Sequence, residues 1–367
     1  MFHSREPNPT VSTIIIEPVG GGCNLNCTYC YHSNIRESKL KVMTPEILKN
    51  LIKQTLQINR GQVKFLWHGG EPMLAGQEFY ETAVNLQHCY RVSEHQRISN
   101  HFQTNATLID SKWATFFKEH DFKVSTSLDG PEWLHDVCRK NGNGKGSFRE
   151  TVEGINILER FGMKVGIVTT VNRYNVEFPD AVYEALLKLG IKSFELNIVS
   201  ETVDRPSLSP PDSETIRFLT RIFDLWFKAD DPTIYIRIFH NAIRSLVGLP
   251  TKDYSFSYNR CREYVACDEQ GDLYTCGRFL KEKGTYLGSC KTDSLVQILS
   301  EECTRILYDR VAKIKDECLE CRWLTACGGG CAYQRWLNGG FGSSFPQCEI
   351  RRALFEHIER RIKPFLS

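Results

Sequence analysis

Short runs of β-branched and aromatic residues recur through the first two hundred positions, and each is followed by a longer stretch with apolar residues at helical spacing. The apolar runs fall at 11–17, 62–67, 98–103, 122–127, 164–171 and 192–199. Helical patterns occupy 44–59, 78–92, 110–120, 147–161, 178–189 and 213–229. Thr44-Pro45-Glu46 is a helix start with a hydroxyl cap and proline in the first turn, and Gly162 and Gly190 stand where two helices would stop. Six strand–helix units predict an α/β fold with a parallel sheet and right-handed crossovers. Periodicity leaves open whether the sheet is flat or an incomplete barrel; either way ligands gather at the C-terminal strand ends.

The proline-rich segment 206–211 precedes the sixth helix, and 248–258 has the composition of a connector. The chain divides into a core at 11–235, a linker at 236–258, a cysteine-rich region at 259–350 and a C-terminal helix at 351–367. No repeat, low-complexity tract or heptad pattern interrupts this order.

Composition narrows the chemistry. With 46 basic and 44 acidic residues the net charge is +2, too balanced for a dedicated nucleic-acid binder. No apolar run is long enough to span a bilayer, and the first ten residues lack the apolar centre of a signal peptide. A cytoplasmic location follows as the expectation, with thiols kept reduced. The 15 cysteines then point to metal or redox chemistry before disulfides. They are clustered: Cys23, Cys27 and Cys30 near the start, only Cys89 and Cys138 in the middle, and ten from Cys261 onward.

Cys23-Asn24-Leu25-Asn26-Cys27-Thr28-Tyr29-Cys30 spaces three thiols as C-x3-C-x2-C directly after the first strand. Three thiolates can hold three corners of an iron–sulfur cubane and leave one iron open; a zinc loop with His32 as fourth ligand is the alternative. With Tyr29 in place, the motif resembles the signature of the radical S-adenosylmethionine (SAM) enzymes. Gly69-Gly70-Glu71-Pro72 after the second strand resembles that family's segment for the methionine amino group. Ser127 and Arg139 match positions for the methionine carboxylate, Asn105 ends the third strand facing the same mouth, and Tyr29 and Val199 match adenine contacts. The resemblance covers about 11–229 and implies a partial (β/α)6 barrel. It also implies a [4Fe–4S] cluster that binds SAM, from which a 5′-deoxyadenosyl radical arises to abstract hydrogen from an unactivated carbon.

Farther on, Cys318, Cys321, Cys327, Cys331 and Cys348 are spaced C-x2-C-x5-C-x3-C-x16-C, preceded by Cys261-x9-Gly271-x4-Cys276. Gly271 reads as the turn glycine of a hairpin. These seven cysteines resemble the SPASM extension of radical SAM peptide-modifying enzymes. The resemblance implies one auxiliary [4Fe–4S] cluster on Cys318, Cys321, Cys327 and Cys348 and a second on Cys261, Cys276 and Cys331, three clusters in all. Two zinc ions are the alternative.

Two departures stand out. Sulfatase maturases carry a further cysteine six residues before the match to Cys261, where this chain has Ser255, so an open iron, Cys267, Cys290 or a peptide side chain would complete the second cluster. They also carry an Asp directly after the match to Cys276, acting as base in formylglycine formation, where this chain has Gly277. The expected function is therefore a maturase of a ribosomal precursor peptide that forms a crosslink, a three-residue cyclophane. Thioether formation, anaerobic sulfatase maturation and, from another class, an iron–sulfur electron-transfer protein are the alternatives. The partners expected are the peptide and a reducing donor such as flavodoxin or ferredoxin. With the first strand starting near residue 11, no separate leader-binding domain fits before it. His32, His68, Asp129 and Arg278 are candidates for the barrel mouth without an assigned base.

Overall fold

The computed structural model describes residues 11–35, 39–200, 208–251, 256 and 260–365. Ser255, Pro206 and Ser207 lie outside the described residues. The core alternates strand and helix: β1 (Thr13–Ile16), α1 (Pro45–Ile58), β2 (Gln62–Trp67), α2 (Gln77–Tyr90), β3 (Arg97–Thr104), α3 (Ser111–Glu119) and β4 (Lys123–Ser127). It continues through α4 (Glu132–Cys138), α5 (Phe148–Arg160), β5 (Gly166–Val171), α6 (Pro179–Lys188), β6 (Ser193–Ile198) and α7 (Asp212–Ala229). Local chemistry sets the ends of these elements. Thr44 caps α1 by accepting the Ile47 N–H at 3.4 Å, and Asp110 caps α3 by accepting the Trp113 N–H at 2.9 Å. Gly162 and Gly190 take left-handed φ values of +77° and +74° where α5 and α6 stop.

Strands β1 to β6 are parallel neighbours in chain order, extended by the two-residue β7 (Tyr235–Ile236), and the sheet does not close. Mixed α/β with an open, partial barrel is the fold expected. Two elements escaped the hydrophobic pattern. The seven-residue α4 is too short to show a period, and α8 (Arg237–Leu246) opens the segment read as a linker.

The cysteine-rich region continues the same sheet. β8 (Tyr264–Cys267) pairs in parallel with β1, Thr13 opposite Tyr264 and Ile16 opposite Cys267. The hairpin to β9 (Asp272–Tyr274) turns at Gly271, whose φ is +87°, and β10 (Tyr286–Ser289) forms the edge. Short helices α9 (Leu295–Ser300), α10 (Glu302–Ala312), α11 (Leu324–Cys327) and α12 (Ala332–Leu337) follow, then α13 (Cys348–Ile362). His357 and Arg361 of α13 hold Asp224 of α7 at 2.9 and 3.0 Å, fastening the end of the chain to the core.

Candidate active site

The first cysteine loop is clamped from both sides. The Gly70 N–H donates to Gly20 O and the Glu71 N–H to Gly22 O, each at 2.7 Å. This approach depends on glycine: a Cβ on Gly70 would lie 2.0 Å from Gly22 O, and Gly69 sits at φ +107°. On the other side, Asn26 N–H reaches Lys140 O at 2.6 Å and Thr28 N–H reaches Cys138 O at 2.9 Å. The loop is thereby fixed between the end of β2 and the segment after α4. Cys23, Cys27 and Cys30 are not in disulfides, and burial pushes Cys23 up to about 12, with Glu71, Cys27 and Cys30 adding to the shift.

The spacing of the thiols bears on which metal group they suit. A single zinc ion holds its sulfurs roughly 4 Å apart. Among the described residues one set of three potential ligands closes within 4.8 Å, and it contains no cysteine: Glu17, His32 and His68. No three cysteine sulfurs among the described residues lie within 4.8 Å of one another. His32 lies with Nε2 3.5 Å from Glu17 Oε2.

Around this loop the strand ends carry polar side chains. Glu71 is buried; its carboxyl accepts from Asn105 N–H at 2.7 Å, the Thr104 hydroxyl at 2.8 Å and Met73 N–H at 3.1 Å. Burial nevertheless pushes it up to about 7. Asn105 donates from Nδ2 to Asn24 Oδ1 at 2.8 Å and lies 3.8 Å from Cys23 Sγ. The third strand and the cysteine loop therefore meet at this residue. Asp129 is a buried hub: Oδ2 accepts from Arg139 Nε at 2.9 Å and from the Tyr29 hydroxyl, and Oδ1 accepts from Thr170 N–H at 2.9 Å. Arg139 lies over the Tyr29 ring at 5.4 Å. Ser127 at the end of β4 accepts from Gln103 Nε2 at 3.3 Å, and Val199 N–H donates to Val171 O at 2.9 Å.

The C-terminal cysteines fall into two sets of electrostatic neighbours. Cys261 is raised to about 12 by burial together with Cys331 and Cys276, and Cys276 to about 11 by burial and Cys331. Cys318 and Cys348 are raised by burial and by Cys327 and Cys321. Arg335 lies between the sets, feeling Cys261 and Cys331 as well as Cys318 and Cys327. Cys267 and Cys290 hydrogen-bond each other beneath Gly271 and belong to neither set. A cavity of about 70 Å³ separates this region from β6, lined by Glu195, Asn197, Arg237, Arg278, Cys331 and Gln334 among others.

Two buried acids had no role assigned from the sequence. Asp129 positions Tyr29 and Arg139, a role that only the folded contacts reveal. Glu17 carried no role, although a carboxylate closing the apolar run Thr13-Ile14-Ile15-Ile16 was a signal, since buried acids need a reason.

The model of the "Radical SAM superfamily" matches residues 18–189. The chain is 30% identical to the serine-type anaerobic sulfatase-maturating enzyme of Bacteroides thetaiotaomicron, covering 94% of this chain and 89% of the relative. It is also 30% identical to the cysteine-type anaerobic sulfatase-maturating enzyme of Clostridium novyi, covering 94% of each. The structure of anSMEcpe with bound AdoMet and Kp18Cys peptide superposes with a TM-score of 0.85 at 26% identity, covering 96% of this chain and 98% of that one. The relatives favour sulfatase maturation, an alternative in the sequence reading, over the crosslink that stood first. With these matches and the clamped three-cysteine loop, the chain belongs to the radical SAM superfamily, whose members employ a [4Fe–4S] cluster and SAM.

Proposed function

We propose that this chain is a radical SAM maturase of the anaerobic sulfatase-maturating type, oxidising the β-carbon of a serine or cysteine in an extended peptide segment to an aldehyde. The observation that carries the reading is the β1–β8 pairing, which brings the Cys276 turn against the end of β1 beside the first cysteine loop. Similarity to two sulfatase-maturating enzymes over 94% of the chain supports it.

In this reading Cys23, Cys27 and Cys30 hold the SAM-binding cluster. The backbone around Gly69 and Gly70 receives the SAM amine, because the Glu71 carboxyl is already committed to Asn105, Thr104 and Met73. Arg139 and Ser127 hold the carboxylate, with Asp129 orienting the guanidinium. Tyr29 and Val199 flank the adenine, and Asn105 ties that floor to Cys23. Cys261, Cys276 and Cys331 hold one auxiliary cluster, and Cys318, Cys321, Cys327 and Cys348 the other. A reduced cluster with SAM supplies a 5′-deoxyadenosyl radical, and auxiliary clusters supply an electron acceptor. The protein's own part is to orient the peptide between β6 and the C-terminal region and to exclude water from the mouth. A small donor such as flavodoxin or ferredoxin delivers the first electron.

The test is anaerobic incubation of reconstituted protein with SAM, reductant and sulfatase-derived peptides bearing Ser or Cys. The expected products are 5′-deoxyadenosine and a peptide aldehyde captured by a hydrazide. Gly277 in place of an acidic residue favours a second reading, the carbon–carbon crosslink. Loss of two hydrogens without a capturable aldehyde, on a peptide with an aromatic residue, would select it.

A further inference from the structure

The turn after Cys276 aims three successive positions in three directions. Gly277–Phe279 is one turn of 3₁₀ helix, in which neighbouring residues point about 120° apart. A side chain at Gly277 would face β1, since a Cβ there would fall 2.9 Å from Glu17 Oε1 and 3.4 Å from Ile15 Cγ2. Phe279 is buried against Tyr333, Trp336 and Phe341, with ring centroids 5.2–5.7 Å away. Arg278, a mouth candidate from the sequence, takes the third direction, into the cavity of about 70 Å³ between β6, α12 and α13.

The wall of that cavity suits an anion. Among the described residues its charged lining is Arg237, Arg278 and Arg351 against Glu195. Glu195 is nine-tenths buried and pairs with Arg237 Nε at 2.8 Å, so that charge is balanced within the wall. Arg351 is held by Cys327 O, to which Nη1 donates at 3.3 Å, and by the rings of Phe256 and Phe345, 4.5 and 4.8 Å away. Arg278 lies 5.8 Å from the centre of the Tyr333 ring. A ring against the face of a guanidinium leaves the N–H donors at its edge, and that edge takes a carboxylate by two parallel bonds. Gln334, on the same wall, donates to Ser200 Oγ at 2.6 Å and holds α12 against the chain beyond β6.

The space is adequate and well placed. One water needs about 10–15 Å³ on the same measure, so the cavity admits a carboxylate. It is not the volume enclosed by the cysteine set, because Cys331 lines it whereas Cys261 and Cys276 do not. The charge of Arg278 is also felt by His68 at the end of β2 and by Tyr31 beyond the first cysteine loop, so the guanidinium stands between the cavity and the mouth.

We propose that Arg278 is a specificity residue, whose guanidinium grips a carboxylate of the substrate peptide inside this cavity. This rests on the maturase reading above and narrows its substrates to peptides with an acid close to the oxidised residue. An extended chain rises about 3.3 Å per residue, so the acid is an Asp or Glu within about three positions, or a C-terminus equally close. The grip sets the register of the peptide, so that one Cβ rather than its neighbours meets the SAM-derived radical.

The test measures Kd by fluorescence anisotropy and kcat/KM for aldehyde formation on Ser peptides that are otherwise neutral and C-terminally amidated. A single Asp, or its isostere Asn, is placed at each nearby position, and the free C-terminal acid is compared with the amide. At the favoured position wild type should bind Asp about 10- to 100-fold tighter than Asn, or the free acid than the amide. Whichever pair responds identifies the source of the carboxylate. Arg278→Gln should collapse that ratio to about one, Arg278→Lys should keep part of it, and Arg278→Glu should prefer Lys at the same position. Equal wild-type affinity within every pair would overturn the assignment even if a variant lost iron through its nearness to Cys276. So would an Asp preference that survives Arg278→Gln. Aldehyde formed equally from all peptides would remove the carboxylate site and leave the maturase reading standing. An Asp preference in binding without any aldehyde would do the reverse.

Discussion

Replacing Gly70 by alanine tests whether the SAM site depends on the contact between the glycine segment and the cysteine loop. The new methyl carbon would sit 2.0 Å from Gly22 O and 2.5 Å from Gly22 C, roughly 1.4 Å inside ordinary contact with the oxygen. Both obstacles are backbone, so no side chain can swing aside. Relief must separate the strands of the clamp, weakening the two 2.7 Å bonds from Gly70 N–H and Glu71 N–H. Overpacking costs about 1–3 kcal/mol, and two lost hydrogen bonds add about 1 kcal/mol each. The local destabilisation is then about 3–5 kcal/mol, enough to shift the loop rather than merely strain it. Cys23 follows Gly22 directly, so the displacement is passed to a proposed cluster ligand. Misplacement of about 1 Å near reacting groups costs on the order of 100-fold in rate. Gly70→Ala should therefore lose iron from the first site and lower 5′-deoxyadenosine formation by that order. Gly142→Ala, with nothing within 4 Å of the new carbon, is the control. A Gly70→Ala protein with wild-type iron content and SAM cleavage would refute the clamp.

Other consequences are open to direct measurement. Arg335 is buried and donates to Phe341 O, Gly329 O, Gly330 O and Val311 O at 2.8–2.9 Å. Arg335→Met would strand these carbonyls at a cost of about 3–5 kcal/mol; hydrogen exchange should rise across 311–341 and spare β2 to β5, and unchanged exchange would contradict the assigned role. Glu71, raised to about 7 by burial, stabilises the fold below its ordinary value of 4.5 and loses that contribution as pH rises through 7. Wild-type stability to denaturant should therefore fall between about pH 4.5 and pH 7, and Glu71→Gln, which mimics the protonated side chain, should flatten that slope. An unchanged slope in Glu71→Gln would mean that another group titrates there.

The sheet was legible because its strands are buried apolar runs of ordinary length with glycine and capping residues at the right places. Gln62–Trp67 matches its run to the residue, and Thr44, Gly162 and Gly190 mark helix ends by local chemistry alone. The helix Glu132–Cys138 was not legible, since seven residues hold barely two turns. The same division applies at the site. Clustered cysteines are conspicuous because reduced thiols at short spacing have few structural uses. Asp129 was named without a role, because its importance lies in holding Tyr29, Arg139 and Thr170, which are distant in sequence. The setting of Glu17 was hidden for a related reason: it depends on a glycine 260 positions later.

That dependence follows from the topology. β8 lies in register beside β1, with the Glu17 N–H donating to Cys267 O at 2.9 Å, so the hairpin that leads to Cys276 is continuous with the sheet that presents Cys23. A cysteine-rich module joined only by a linker could shift its thiols relative to the mouth as the linker moved. Here the ladder fixes the Cys276 turn to the strand that ends in Glu17, and α13 fastens the far end to α7 through Asp224. Groups that act on one substrate carbon must be held within about an ångström of their working positions. Shared backbone pairing achieves this more directly than side-chain contacts between two bodies.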